Sequence, residues 1–289
     1  MAQQEAVRRG YLHESFRLFY LKDTATGQVD WHYHDFHKLL FFLGGHAAYL
    51  IEGKRYALEP GDIVLVPRGC IHRPEVQPDL PYERYVLYLS PGFLQEVSSR
   101  ETELEACFQA AGEGYQFVLR PDREQDLRNL LSGLLMAQNT DRFGRDLMCQ
   151  AGITQILVTL TRDLEDHRFH YVTSVCDEKI MSVLRYLNLH VGERISIDDL
   201  SRQFYISKYY LMRRFKAATG HSIHGYISEK RLILARSRIA AGAPLQQVSE
   251  SCGFHDYSAF ARAYKQRFGV PPSVRPTPRL TDAPAPQAD

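Results

Sequence analysis

Residues 197–220 read IDDLSRQFYISKYYLMRRFKAATG, and residues 245–269 read LQQVSESCGFHDYSAFARAYKQRFG. Ile197, Leu200, Ser201, Leu211, Phe215, Lys216 and Gly220 in the first stretch answer Leu245, Val248, Ser249, Phe260, Tyr264, Lys265 and Gly269 in the second. The front halves align at an offset of 48 and the back halves at 49, which places one extra residue in the second copy near Gly253. An insertion confined to a turn, with apolar spacing kept on both sides, is the mark of two helix-turn-helix units.

Each copy has the physical features of that motif. In the first, Ile197, Leu200 and Phe204 give a short helix one apolar face, Ser196 can cap it, and Asp198 and Asp199 fall in the first turn where the helix dipole favours acids. Ser207 starts a second helix that turns Leu211 and Phe215 inward and leaves Tyr209, Met212, Arg213 and Lys216 outside. In the second copy Leu245, Val248 and Cys252 form the packing stripe, Gly253 permits the turn, and Asp256 or Ser258 caps the next helix. Phe260 and Tyr264 then face in, and Tyr257, Ser258, Ala261, Arg262 and Lys265 face out. Any one of these helices would pass for an ordinary amphipathic helix with a solvated charged face. The repeat decides otherwise, and so does the segment between the copies. Ile223 to about Ala241 reads as one helix, and such a helix spans about 28 Å, near the roughly 34 Å between successive major grooves on one face of DNA.

The residues Ala235, Leu245, Val248, Cys252-Gly253-Phe254, Asp256-Tyr257, Phe260, Arg262, Tyr264-Lys265, Phe268-Gly269 and Pro271 resemble the C-terminal signature of the AraC/XylS transcription regulators. Ser207, Leu211, Arg214-Phe215-Lys216 and Gly220 are similar to that family's other helix-turn-helix. The likeness covers roughly residues 177–275. Val274 stands where the family often has Tyr and Ile223 where it often has Phe, both read as packing changes. Double-stranded DNA is the implied partner, with RNA polymerase a second one if the protein activates. Arg213 and Arg262 are the expected guanine readers, flanked by Tyr209, Met212, Tyr257, Ser258 and Ala261. Lys208, Lys216 and Lys265 are expected on phosphate.

Charge follows the same division. The whole chain carries only +1, but residues 1–176 carry −6, residues 177–275 carry +8 and residues 276–289 carry −1. The basic excess is confined to the repeat, as binding with counterion release requires.

Residues 16–90 have a period nearer two and are broken by Gly-Gly, Glu-Gly and Pro-Gly turns. Strands are expected at 17–21, 39–43, 47–51, 54–58, 63–67 and 82–89, which suggests a jelly-roll or barrel. His32-Tyr33-His34 and Gly61-Asp62, Pro67-Arg68-Gly69 and His72 resemble the two cupin motifs. Three imidazoles inside a barrel suit a transition metal. Metal-binding cupins usually add a Glu after the His pair, however, and Asp35 to Leu39 contains none. No metal, cofactor or catalytic residue is therefore expected, and the rival reading is a metal-dependent cupin enzyme attached to a DNA-binding domain. The implied role of the barrel is to sense a small-molecule effector, with Trp31, His32, His34 and His72 as candidate ligand-binding residues and Tyr33, Tyr49 and Arg73 as weaker ones. A third possibility is a ligand-independent regulator whose barrel serves only to dimerise.

Leu127, Leu130, Leu131, Leu134 and Leu135 line one helix of the following segment, and Leu147, Ile153, Ile156, Leu157, Leu160 and Leu164 a second. The apolar arc of the second is wide enough for part of it to meet a partner chain, and the resemblance to AraC-type regulators implies that their sensor domains pair here, so a homodimer is expected. The expected architecture is α+β with two domains: a cupin-like ligand-sensing barrel (1–120), a helical dimerisation segment (121–168), a linker (169–176), an all-α double helix-turn-helix domain (177–275) and a disordered tail (276–289). The polar stretch to about Glu14 resembles an arm that folds over the pocket in related regulators. Five cysteines without a CxxC pair, no apolar signal core and no membrane-length apolar run point to a cytoplasmic protein.

Overall fold

A computed structural model describes residues 12, 14–24, 29–78, 80–122 and 124–274. The tail 276–289 and all but residues 12 and 14 of the N-terminal arm lie outside the described residues. The chain forms two compact units, the first made of most residues up to Ser174 and the second of most of those from Val175.

The first unit is built on strands β1 (Phe16–Thr24), β2 (His37–Gly44), β3 (Ala47–Ile51), β4 (Lys54–Ala57), β5 (Ile63–Val66), β6 (His72–Val76), β7 (Pro81–Leu89), β8 (Val118–Pro121) and β9 (Phe169–Tyr171). One sheet has the order β1-β7-β2-β5-β8-β9, and in the other β4, β3 and β6 are neighbours. The central strand β2 pairs antiparallel with both β5 and β7, setting Leu39 opposite Leu65 and Leu87. All six residues from His37 to Phe42 are buried, so polar alternation disappears: both faces of this strand are covered. His37 looks to a helix, its ring 4.6 Å from that of Phe108, while Lys38 on the opposite face approaches the rings of Tyr49 and Tyr88. The Pro-Gly turn before β5 has a structural purpose. Gly61 adopts φ +96°, and the fully buried Asp62 accepts the Glu59 amide at 2.7 Å and two donors from Arg120 at 2.8 and 3.1 Å, clamping β5 to β8.

Four helices belong to this unit: α1 (Pro91–Val97), α2 (Ala106–Gly114), α3 (Glu124–Gln138) and α4 (Arg145–Glu165). The last two occupy the segment where two helices are expected, and they bury Leu127, Leu131 and Leu134 against Ile153, Ile156, Leu157 and Leu160 in the core. Residues 169–171, inside the stretch expected as a linker, instead pair with β8, setting Phe169 opposite Pro121.

The second unit is all helical: α5 (Glu178–Leu189), α6 (Ile197–Gln203), α7 (Lys208–Thr219), α8 (Ile223–Ala240), α9 (Leu245–Ser251) and α10 (Tyr257–Phe268). Side-chain caps start the helices at the expected places. Ser196 accepts the Asp199 amide, Ser207 that of Tyr210, and Asp256 those of Ser258 and Ala259. Gly220 and Gly269 end α7 and α10 in the left-handed conformation. The two helix-turn-helix units share one hydrogen-bonded turn: Ile206 N–H donates to Ser201 C=O at 3.1 Å, and Phe254 N–H donates to Ser249 C=O at 3.0 Å. Tyr205 therefore answers Gly253, and the extra residue of the second copy is His255.

Candidate nucleic-acid interface and effector site

The second helix of each unit is sorted into faces by its own spacing. Leu211 and Phe215 in α7, and Phe260 and Tyr264 in α10, are buried. On the opposite faces Tyr209, Met212, Arg213, Lys216, Ser258, Arg262 and Lys265 are exposed, and Tyr257 and Ala261 are half-buried. Arg213 lies over the Tyr209 ring at 5.6 Å, which pre-orders a planar donor fork beside an exposed aromatic.

Not every cation in the repeat is available. Lys208 forms an ion pair with Asp198, Arg214 with Asp177 at 3.0 Å, and Arg267 with Glu229 at 3.0 Å. Asp177 caps α5 and also accepts the Tyr210 hydroxyl at 2.9 Å, so Arg214 and Tyr210 fasten α7 to α5. Sequence spacing alone does not separate these tied cations from the open ones, because their partners lie on other elements.

In the first unit, His32, His34 and His72 come together. His32 and His34 lie on an extended segment, not within a strand, and His32 exchanges two backbone hydrogen bonds with His72 at 3.0 and 2.9 Å. Ring centroids are 4.3 Å apart for His32–His72, 4.8 Å for His34–His72 and 6.4 Å for His32–His34. Each Nδ1 points at a backbone carbonyl: His32 at Asp30, His34 at Phe36 and His72 at Cys70, at 2.7–2.9 Å. A carbonyl only accepts, so each Nδ1 carries a proton, and in a neutral imidazole of that tautomer the lone pair is on Nε2. The Nε2 of fully buried His72 has no hydrogen-bond partner among the described residues. Burial holds the His72 imidazole well below the usual histidine range, and the neighbouring His32, His34 and Lys38 push the same way.

Sequence reasoning missed Lys38, which is 1% exposed with its ammonium 5.7 Å from the Tyr49 ring and 5.8 Å from that of Tyr88. Its only signal was a lysine inside an otherwise buried run. Trp31 lies under the Arg73 guanidinium at 5.0 Å, and a cavity of about 190 Å³ adjoins Arg73, Pro74, Glu75 and Val76. Among the described residues no group of three or more His, Cys, Asp or Glu is arranged to hold a metal ion. No helix among them is long and apolar enough to cross a membrane. On α3, α4 and the turn between them, Met136, Phe143, Leu147 and Met148 are exposed.

A β-sheet sensor unit joined to a pair of helix-turn-helix units defines a DNA-binding transcription regulator. Residues 200–274 match the family profile described as helix-turn-helix domain, and residues 17–157 match that of the AraC-like ligand binding domain. The chain belongs to the AraC/XylS family of transcription regulators. It is 24% identical over 244 residues to the HTH-type transcriptional activator RhaS of Escherichia fergusonii, an alignment covering 83% of this chain and 85% of that one. It is 33% identical over 99 residues to the probable transcriptional regulator LumQ of Photobacterium leiognathi, covering 33% of this chain and 40% of LumQ. Among solved structures it is similar to ToxT from Vibrio cholerae, with TM-score 0.36 and 14% identity over 90% of this chain and 97% of that one.

Proposed function

We propose that this regulator is a cytoplasmic, non-enzymatic homodimer that reads two short DNA blocks with α7 and α10 and responds to a small effector in its β-sheet unit. One observation carries the DNA reading: two copies of the same hydrogen-bonded turn each present a helix with an exposed cationic face. Arg213 and Arg262 read guanine edges, and Tyr209, Met212, Tyr257, Ser258 and Ala261 flank them. Lys216 and Lys265 hold phosphate. Lys208 does so only after leaving Asp198. RNA polymerase is a further partner if the protein activates.

The effector site is assigned to Trp31, His32, His34 and His72. His72, whose Nδ1 donates to the Cys70 carbonyl and whose burial opposes a second proton, presents an orphaned Nε2 that calls for a ligand bringing a donor, a hydroxyl or N–H group. The homodimer uses the exposed apolar side chains Met136, Phe143, Leu147 and Met148.

Selection of the full chain on a randomised DNA pool, followed by a salt titration, tests the central reading. Two enriched blocks about one helical turn apart are expected. Binding without any enriched motif, lost steeply with salt, would leave only a basic helical domain.

A further inference from the structure

The turn of the first helix-turn-helix unit contains a tyrosine where the second has glycine. Tyr205 adopts φ 53° and Gly253 φ +83°, and both hydrogen-bond back to the preceding helix, to Arg202 and Glu250 respectively. A left-handed conformation costs a bulky L-residue strain that glycine does not pay. At another left-handed tyrosine such strain has a visible return. Tyr115 is also left-handed (φ 50°), but its ring packs on the core, 6.0 Å from that of Phe117. The Tyr205 side chain has no such packing: it is 90% exposed.

Its position is informative. Tyr205 lies four residues before Tyr209 and seven before Met212, which are 71% and 45% exposed. It sits in the turn that leaves α6 and leads into α7, and in a helix-turn-helix unit the first helix crosses the DNA backbone while the start of the second reaches base edges.

We propose that Tyr205 is a positioning residue for DNA binding, its phenolic hydroxyl donating to a backbone phosphate next to the block read by α7. The proposal rests on α7 being a reading helix. A tyrosine is uncharged, so the contact fixes the register of α7 without releasing a counterion. The second unit, with glycine in its turn, lacks this contact, and the two blocks are held unequally.

The test uses the full chain and the operator obtained by selection. Tyr205→Gly removes the ring and relieves the backbone; Tyr205→Phe removes only the hydroxyl. Both are expected to lower operator affinity about tenfold, the worth of one hydrogen bond to a charged group. The slope of affinity against salt should not change. Tyr205→Gly is expected to unfold no more easily than the parent, so the loss cannot be a folding defect. Tyr205→Asn, which tolerates the same φ, gives the reading if the glycine variant folds poorly. Full affinity in Tyr205→Phe would overturn the proposal, as would a loss in Tyr205→Gly that tracks a fall in stability. Arg213→Ala on the same operator separates the two readings. If it weakens binding and the Tyr205 variants do not, only this inference fails; if neither weakens binding, α7 is not a reading helix and both fail.

Discussion

The Arg231 guanidinium donates to the carbonyl of Gly253 at 2.9 Å, tying the helix between the two reading units to the turn of the second. The same side chain donates to Val191 at 2.8 Å and to Glu193 at 2.6 Å, in the loop that precedes the first unit. One residue of α8 thus serves both halves of the domain, and α8 acts as a spacer only while these bonds hold. Arg231→Gln should remove at least two of the three and leave partly buried carbonyls short of donors, costing about 2–3 kcal/mol. Hydrogen exchange should lose protection over residues 245–269 and keep it in the strands of the first unit. Unchanged protection at 251–255 would show that the turn is held by other contacts.

Gly253 itself allows little. With φ +83°, a Cβ there would lie 2.6 Å from the Gly192 carbonyl oxygen and 2.8 Å from Arg231 Cζ. Gly253→Ala therefore combines backbone strain with a clash against backbone, a penalty of about 1–3 kcal/mol or more. Urea unfolding followed by helical circular dichroism should show the helical domain melting earlier. A variant as stable as the parent would mean that the loop at Gly192 gives way easily.

The exposed arginines and lysines should separate by kind. Arg213→Ala is expected to cost about 1–3 kcal/mol on the selected operator and to relax preference at one base pair. Lys216→Ala should weaken all sequences alike and reduce the salt slope by about one. Arg214→Ala belongs with neither, because Arg214 is spent on Asp177 and its loss should appear in stability. Equal weakening of every sequence by Arg213→Ala would reassign Arg213 to phosphate.

Much of this was legible along the chain. The caps Ser196, Ser207 and Asp256 and the inward residues Leu211, Phe215, Phe260 and Tyr264 obey local rules, which a repeat states twice. Strand β9 was not legible, since its three residues are defined by a partner some 50 positions away, and the short helices α1 and α2 carry too few turns for a firm period. The burial of Lys38 and the pairing of Lys208 with Asp198 are likewise facts about partners. Sequence spacing gives the face a side chain takes, not what waits there.

The histidine cluster makes stability depend on pH, and the sign is fixed. His72 is fully buried and faces His32, His34, Lys38 and the Cys70 carbonyl; burial first, then repulsion between a proton there and positive charge on His32, His34 or Lys38, lowers its affinity for a proton. His37, on the other face of β2, is lowered by burial too, although Glu105 at 3.7 Å pulls it back up. In both cases the folded group takes up its proton at lower pH than the unfolded one, whose value is about 6.5. The unfolded chain therefore binds more protons in the window below that value, so the stability these residues contribute is complete above it and drains away as pH falls. Each such group costs about 1.4 kcal/mol per pH unit within the window. Trp31 is the only tryptophan, so its fluorescence follows the β-sheet unit alone. Its thermal midpoint should be level from pH 8 to about 6.5 and drop on acidification towards about 5, with His72→Asn flattening part of that slope. A midpoint level across the whole range would mean that His72 and His37 take up protons as readily in the folded chain as in the unfolded one, and the electrostatic account of the cluster would have to go.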